Sequence, residues 1–534
     1  MNPPHGFSAA PATDGTPTAE APRASGGPVT GVAEAPAHTR DVPAEFATEV
    51  TTLGAPVGAS AGDSGVPGSG RLSGTLGTFD IVLMVVAAAA PLSVTAATIP
   101  LMFLVTGSTG VPAYMAVCTL ILLVFSVGFT RMSAYIRNAG AFYSYVQAGL
   151  GRVLGNGTAF LAIGAYFLLL LAVYFLFGIM TADLFGAFFG LSVHWAVPTA
   201  VCLVATAVLG YLNIDLSAKV LGVFLVLETL VVAVLDVVII ARGGAEGLSL
   251  VSSLGIGDPA SSWGLGLMYA VLGFMGFEAT AVFRKETKDP DTTIPRATFL
   301  AVVFIGVFYT LSAWCMSMGV GPGGIVDAAT EDYEGVILTL GATYVAPVFN
   351  SIMQVLIITS LFACILAFHN VTARYLFSLG GTGALPRRLG RPHAAFGTPS
   401  FASAVVSTGS VAVVGAYLLF GLDPLTVGYT WLSGTATLGL LALIALTSLA
   451  VIVFFALRTQ DRNPWGTRIA PGLALLGMAV ILTVVIANFV DLVGDPVAAV
   501  VLPVLLAVLL GAGMVSALVM KARRPAEYAA LLDQ

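Results

Sequence analysis

Trp263-Gly-Leu-Gly-Leu-Met-Tyr-Ala-Val-Leu-Gly273-Phe-Met-Gly276-Phe-Glu278-Ala-Thr-Ala-Val-Phe283 is apolar throughout except for one carboxylate, Glu278. The stretch is long enough to cross a bilayer, which takes about 20 residues as a helix. Arg284, Lys285, Glu286 and Lys288 follow it at once. An ionisable group inside such a span is expensive, and by default it marks a transported substrate or ion. The plainer alternative is a kinked helix whose carboxyl group bonds a neighbour. Gly273 and Gly276 lie just before the carboxylate and loosen the helix, so that bare backbone can face a cavity.

The rest of the chain fits that setting. Of its 534 residues, 57% are hydrophobic and only 9% are charged. A soluble chain carries about a quarter charged residues, so this composition excludes a soluble globular protein and indicates a polytopic, all-α membrane protein. The net charge of −6 says little about partners, because the charges are sorted by side. Cys118, Cys202, Cys315 and Cys364 all fall inside apolar runs without metal-ligand spacing, and they read as small buried hydrophobes. Residues 1–72 are rich in Ala, Pro, Gly and Thr and lack hydrophobic periodicity, which suggests a disordered tail without a cleavable signal peptide.

Apolar runs predict twelve spans, near 78–105, 111–130, 156–182, 194–212, 217–241, 262–283, 296–319, 343–377, 401–420, 425–457, 469–490 and 496–520. Positive charges test the order. Arg131, Arg137 and Arg152 follow span two, and Lys219 opens span five. Arg284, Lys285, Lys288 and Arg296 follow span six, and Arg374, Arg387, Arg388 and Arg391 follow span eight. Arg458, Arg462 and Arg468 follow span ten, and Lys521, Arg523 and Arg524 close span twelve. All share one side with Arg23, Arg40 and Arg71 of the tail. Arg242 lies on the other side, with Asp327, Glu331, Asp332, Glu334, Asp491 and Asp495. Both termini are therefore expected in the cytoplasm.

Span one contains Val86-Ala-Ala-Ala-Ala-Pro91-Leu-Ser-Val-Thr-Ala-Ala-Thr-Ile-Pro100, whose two prolines interrupt the helical ladder around small and hydroxylated residues. Span six is loosened at Gly273 and Gly276, five spans later. Interrupted segments at matching positions of two halves point to a transporter binding site. Five is odd, so the second five-span unit is inverted relative to the first. The expected organisation is a first repeat over 73–242, a second over 243–457, two further helices over 458–522 and a short cytoplasmic tail over 523–534.

These residues resemble the amino acid–polyamine–organocation permease family over about 74–525. Val85-Val86-Ala87-Ala88-Ala89-Ala90-Pro91 looks like a common form of its first helix. Ala139-Gly140-Ala141-Phe-Tyr143 is similar to its Ala-Gly-Gly/Ala-x-Tyr signature. The strongest match is Gly273-Phe-Met-Gly276-Phe277-Glu278-Ala, with Glu286-Thr-Lys-Asp-Pro290 and Ile294-Pro295-Arg296-Ala297-Thr298 after it. Span eight ends Ala367-Phe-His369-Asn370-x-x-x-Arg374-Tyr-Leu-Phe, followed by Gly383-x-Leu385-Pro386. The resemblance implies the five-plus-five inverted repeat of the LeuT type, with helices one and six broken. There are two departures. Thr95-Ala96-Ala97 stands where the family often carries a Gly-x-Gly-like break, and Gly380-Gly381-Thr382-Gly383 where it often has Arg before Glu-Gly.

A broken helix offers N–H groups to a substrate carboxylate and C=O groups to an ammonium. The carboxylate is assigned to the backbone around Ser93, Thr95, Ala96 and Ala97, and the ammonium to carbonyls near Phe274, Met275 and Gly276. Phe274 and Phe277 serve either as lids and pocket walls or as packing. With no acidic partner in the pocket beyond Glu278, neutral substrates are expected. The resemblance makes Glu278 a carboxylate linked to protonation and gating. It also places Glu228 where some proton-coupled relatives carry a lysine in place of a sodium ion. Glu228 either takes up a proton or cation, or serves as a structural hydrogen-bond partner. Asp236 lies about two turns further out. Sodium is the alternative coupling ion, with oxygens from span one and Thr359 or Ser360. His369 reads as a structural or gating group, and Tyr166, Ser433 and Thr435 as candidate pocket residues.

The expectation is therefore proton-coupled uptake of amino acids across the plasma membrane by alternating access. The alternatives are an exchanger of amino acids or polyamines and a transporter-like amino acid sensor signalling through the tail. No nucleotide-binding loop, metal-ligand spacing or nucleophile motif is present, so neither an enzyme, a cofactor nor a nucleic-acid partner is expected.

Overall fold

In hydrocarbon every peptide group must find its partner inside the protein, so long apolar runs become helices. The computed structural model describes residues 77–529 apart from 137–140, 213–217, 283–286, 394–398, 458–460 and 462. The tail, Arg137, Arg284, Lys285, Glu286, Arg458, Arg462 and the side chain of Lys219 lie outside the described residues.

The regular structure of the described residues is helical. Its first half runs α1 (Thr78–Ala88), α2 (Ile99–Thr106), α3 (Val111–Ser133), α4 (Ala141–Leu150), α5 (Arg152–Phe189), α6 (Ala196–Leu212) and α7 (Ala218–Arg242). Then follow α8 (Ala260–Gly273), α9 (Ala279–Val282), α10 (Pro290–Val320), α11 (Ile325–Asp332), α12 (Val336–Tyr344), α13 (Pro347–Thr382), α14 (Ser400–Phe420), α15 (Trp431–Leu457), α16 (Ala470–Ala487), α17 (Pro496–Arg523) and α18 (Pro525–Ala529). Among the described residues, 10 stretches are long and apolar enough to cross a membrane, Thr78–Thr106 counting as one of them. The other two expected spans take shorter forms: α6 has 17 residues, and span six is split into α8 and α9.

Neighbour relations repeat when each span is exchanged for the one five places on. The first span packs on the seventh (α1 on α10) as the sixth packs on the second (α8 on α3). The pair α5 and α6 is matched by α13 and α14, and the pair α1 and α7 by α8 and α15. Pairs that map onto themselves, α3 with α10, α5 with α13 and α6 with α14, form the seams between the two sets. This is the packing that an inverted repeat produces. At its centre is α5, which touches α13, α15 and α17.

Among the described residues, four short α-helices lie wholly or mainly outside the twelve expected spans: α4, α11, α12 and α18. None of them is long enough to span, so hydropathy over a 20-residue window passes them by. The first, α4, lies along α15, where Gly149 approaches so closely that a Cβ would sit 2.2 Å from the Ala450 carbonyl oxygen. Overpacking against backbone costs about 1–3 kcal/mol. Purified Gly149→Ala is expected to melt several degrees below the parent, and an unchanged melting temperature would contradict this seam.

Candidate functional site

Span one opens at Ala89–Ala90, directly before Pro91, the first of the two prolines expected to interrupt it. Ala90 has φ 47°, the only positive φ at a non-glycine among the described residues, and such a conformation costs an L-residue about 1–2 kcal/mol. Pro91 follows, and because it has no N–H to offer and its ring crowds the preceding turn, α1 cannot continue through Ala90. The chain continues as one turn over Pro91–Ser93 and a wide π-turn over Val94–Thr98, then resumes as α2. Pro100 lies inside the continuous helical run Pro91–Thr106, directly after the π-turn, where its missing N–H releases a carbonyl of that wide turn without ending the helix. So only one of the two prolines breaks the span. Thr95, Ala96 and Ala97 lie in the π-turn, and the Thr95 hydroxyl donates to the Pro91 carbonyl at 2.7 Å.

Span six opens over Phe274–Glu278, a run of tight turns in which the N–H groups of Phe277 and Ala279 reach the carbonyls of Phe274 and Gly276. Gly276 has φ +106°, which only glycine adopts without strain. The two breaks touch: a Cβ on Gly276 would lie 3.3 Å from that of Ala88, and one on Gly273 would lie 3.2 Å from Val94.

Side chains from surrounding helices take up the backbone groups that the breaks release. Tyr309 of α10 donates to the Ala89 carbonyl at 3.0 Å. Glu228 of α7 accepts from the Leu92 backbone amide and from the Ser360 hydroxyl of α13, the latter at 2.8 Å. Glu278 accepts from the Gly276 amide at 3.0 Å and from the Tyr166 hydroxyl of α5. Tyr166 in turn stacks on Phe368 of α13 with ring centroids 6.2 Å apart. Each carboxylate is buried and held at a helix break. Asp236 is placed apart from them, accepting from Ser312 of α10 at 2.9 Å.

Between the breaks lies a cavity of about 50 Å³, room for a few waters. Ala88, Ala89, Ala90, Ser93, Val94 and Thr98 form one wall, and Leu272 and Met275 another. Leu169, Val173 and Leu176 of α5 and Leu361, Cys364 and Phe368 of α13 complete an aliphatic surround capped by Tyr429. The Ser93 hydroxyl is buried in this wall without a hydrogen-bond partner among the described residues. Thr98 shares a hydrogen bond of 3.2 Å with Tyr429.

Of the residues singled out in the sequence, Ser93 and Met275 line the cavity, while Gly276, Glu278 and Glu228 bound the breaks beside it. Thr95, Ala96 and Ala97 do not face it. Phe274 packs against Tyr309 and Phe277 against Phe125 and Phe129, so both rings are packing rather than cavity walls. Thr359, Ser433 and Thr435 bond backbone carbonyls of their own helices. His369 meets Ser403 of α14 at 2.9 Å. The aliphatic wall and Tyr309 carried no signal in the sequence, where they look like any other apolar membrane residues.

An amino acid permease family model matches residues 76–527. The chain belongs to the amino acid permease family. Over 437 residues this permease is 24% identical to the branched-chain amino acid permease BcaP of Bacillus subtilis, covering 77% of this chain and 87% of that one. It is 28% identical over 296 residues to an uncharacterised transporter of Mycobacterium tuberculosis, covering 54% of this chain and 60% of the relative's length. A gamma-aminobutyric acid permease of Bacillus subtilis is 27% identical over 124 residues, 23% of this chain and 25% of that one. The permease is thus a multi-pass membrane protein of an amino acid transport family.

At the end of α5 remote from Arg152, the permease has a second cavity of about 160 Å³ bounded by Asp183, Asp332, Glu334 and Gln354. Burial, then the nearby charges of Asp183 and Asp332, push the Glu334 carboxyl up to about 8. The folded chain therefore keeps a proton that the unfolded chain releases near the ordinary value of 4.5. Between those values the folded state binds more protons, so stability falls as pH rises through the window. Glu334→Gln removes that dependence. Its melting temperature is expected to exceed the parent's at about pH 9 and to match it at about pH 5; parallel melting curves at both would contradict the assignment.

Proposed function

We propose that this permease takes up neutral aliphatic amino acids across the plasma membrane by proton-coupled alternating access, with both termini cytoplasmic. The observation that carries the reading is the pairing of each helix break with a buried carboxylate that holds one released N–H group. Leu92 N–H is engaged by Glu228 and Gly276 N–H by Glu278. A substrate carboxylate needs the same donors. An ionised glutamate holds them strongly, whereas a protonated carboxyl is a weaker acceptor and becomes a donor itself. Proton binding therefore frees the N–H groups, and the substrate carboxylate takes them beside the unpartnered Ser93 hydroxyl. Linkage makes this reciprocal: bound substrate raises proton affinity by the factor by which the proton raises substrate affinity.

The substrate ammonium meets the carbonyls of Phe274, Met275 and Gly276, of which Phe274 and Gly276 retain a second lone pair after their turn bonds. The side chain points to Leu169, Val173, Leu361 and Phe368. Such an aliphatic wall rewards burial of a branched chain by about 0.8 kcal/mol per methylene and offers no partner for a charged one. The match to a permease named for branched-chain amino acids supports the same class. At about 50 Å³ the cavity is too small for a whole amino acid, which enters when the broken helices move away from α5 and α13.

Purified permease in liposomes tests the proposal. An inward pH gradient is expected to drive labelled leucine into empty vesicles, with labelled lysine excluded. Glu278→Gln and Glu228→Gln are each expected to abolish gradient-driven accumulation. If both variants accumulate leucine like the parent, proton coupling through these carboxylates is wrong. Uptake confined to vesicles preloaded with amino acid would make the protein an exchanger.

A further inference from the structure

A third cavity, of about 450 Å³, lies away from the broken helices, at the arginine-rich end of α13 and α17. One wall is the turn after α13, Gly383–Arg387, and the other is the last part of α17, from Ser516 to Arg523, with Arg524 just beyond it. The Ser516 hydroxyl ties the walls together by donating to the Ala384 carbonyl at 2.9 Å. Arg387, Arg523 and Arg524 face the space. Glu527 of α18 touches two of them: Arg387 contacts one carboxylate oxygen, and Arg524 reaches the other at 3.4 Å. Arg523 has no ion-pair partner among the described residues. Three guanidinium groups thus confront one carboxylate in a cavity large enough for a ligand.

We infer that this cavity binds the phosphate headgroup of an anionic phospholipid from the inner leaflet. Guanidinium forks match phosphate oxygens in pairs, and the site has positive charge to spare. Phosphate chemistry alone would also admit a free anion; the surroundings favour lipid. Val519 lines the cavity and is 46% exposed, and Val515 and Leu518 on the same helix are 59% and 50% exposed. An aliphatic strip therefore runs from the headgroup position along α17, where acyl chains would lie. Basic pockets at the membrane boundary on the positive-inside face suit such lipids. The inference rests on the membrane orientation proposed above and is independent of substrate and coupling ion. A bound headgroup would bridge the end of α13 to α17.

Native mass spectrometry of the purified full chain provides the test, with phosphatidylglycerol, phosphatidylcholine and inorganic phosphate as probes. The parent is expected to retain phosphatidylglycerol over phosphatidylcholine, and millimolar phosphate should not displace it. Arg523→Gln is expected to weaken phosphatidylglycerol retention about fivefold, the effect of one basic residue near an anionic surface. Glu527→Gln is expected to strengthen it. Arg523→Gln leaves both Glu527 pairs intact, so it carries the test even where Arg387→Gln fails to fold. Equal phosphatidylglycerol retention by the parent and Arg523→Gln would overturn the site. Displacement by phosphate would overturn the lipid and leave a soluble anion as its ligand.

Discussion

A peptide N–H or C=O released from its helix inside a bilayer has no water to bond, and leaving it unpaired costs several kcal/mol. Two spans of this permease nevertheless open their backbones, at Ala89–Ala90 and at Phe274–Glu278, where the openings touch. The arrangement of the surrounding helices follows from how those groups are satisfied. Tyr309 reaches across from α10 to the Ala89 carbonyl, Glu228 from α7 to the Leu92 amide, and Glu278 turns back onto Gly276. Ser360 and Tyr166 then fix the two carboxylates against α13 and α5, the pair that forms one of the seams between the repeats. The strain at Ala90 is tolerated because so many contacts determine its position.

The same bonds give the proposed cycle its switch. A carboxylate that stabilises an open helix competes with any carboxylate-bearing ligand for the same donors. Protonation weakens the internal competitor, so ligand and proton bind together without any contact between them. In the proposed cycle the apolar wall beside the break selects by side chain, the broken backbone recognises the groups common to all amino acids, and recognition and coupling are divided between different atoms of one site. Because Glu278 and Glu228 anchor on α5 and α13, a change in either carboxyl alters how the broken spans are held against those helices.

Hydropathy made most of this architecture legible. Runs of apolar residues are long compared with the errors of their ends, and observed span limits fall within a few residues of the expected ones in most cases. Larger shifts occur at the start of α10 and the end of α13, which run past the apolar windows into more polar flanks, while α5 continues to Phe189, where the sequence allows an end near 190. Glu278 and Glu228 could be read because a carboxylate among apolar residues is conspicuous. Two prolines look equivalent in the sequence of span one, yet only Pro91 coincides with a break, at Ala89–Ala90, while Pro100 lies inside the helical run Pro91–Thr106. Phe274 and Phe277 point away from the cavity, and the direction of a side chain within an irregular turn has no periodicity from which to read it. The aliphatic wall was invisible for a related reason: Leu169 and Leu361 differ from their lipid-facing neighbours only in what stands opposite them.

The most direct measurement is the proton count per transported amino acid. A pH-sensitive dye outside proteoliposomes, read while labelled leucine enters empty vesicles clamped at zero membrane potential, gives both fluxes together. Proton-coupled uptake predicts external alkalinisation that tracks leucine entry at a fixed ratio and disappears with it in Glu278→Gln. Leucine entry at the parent's rate without any movement of protons would contradict the role given to both carboxylates.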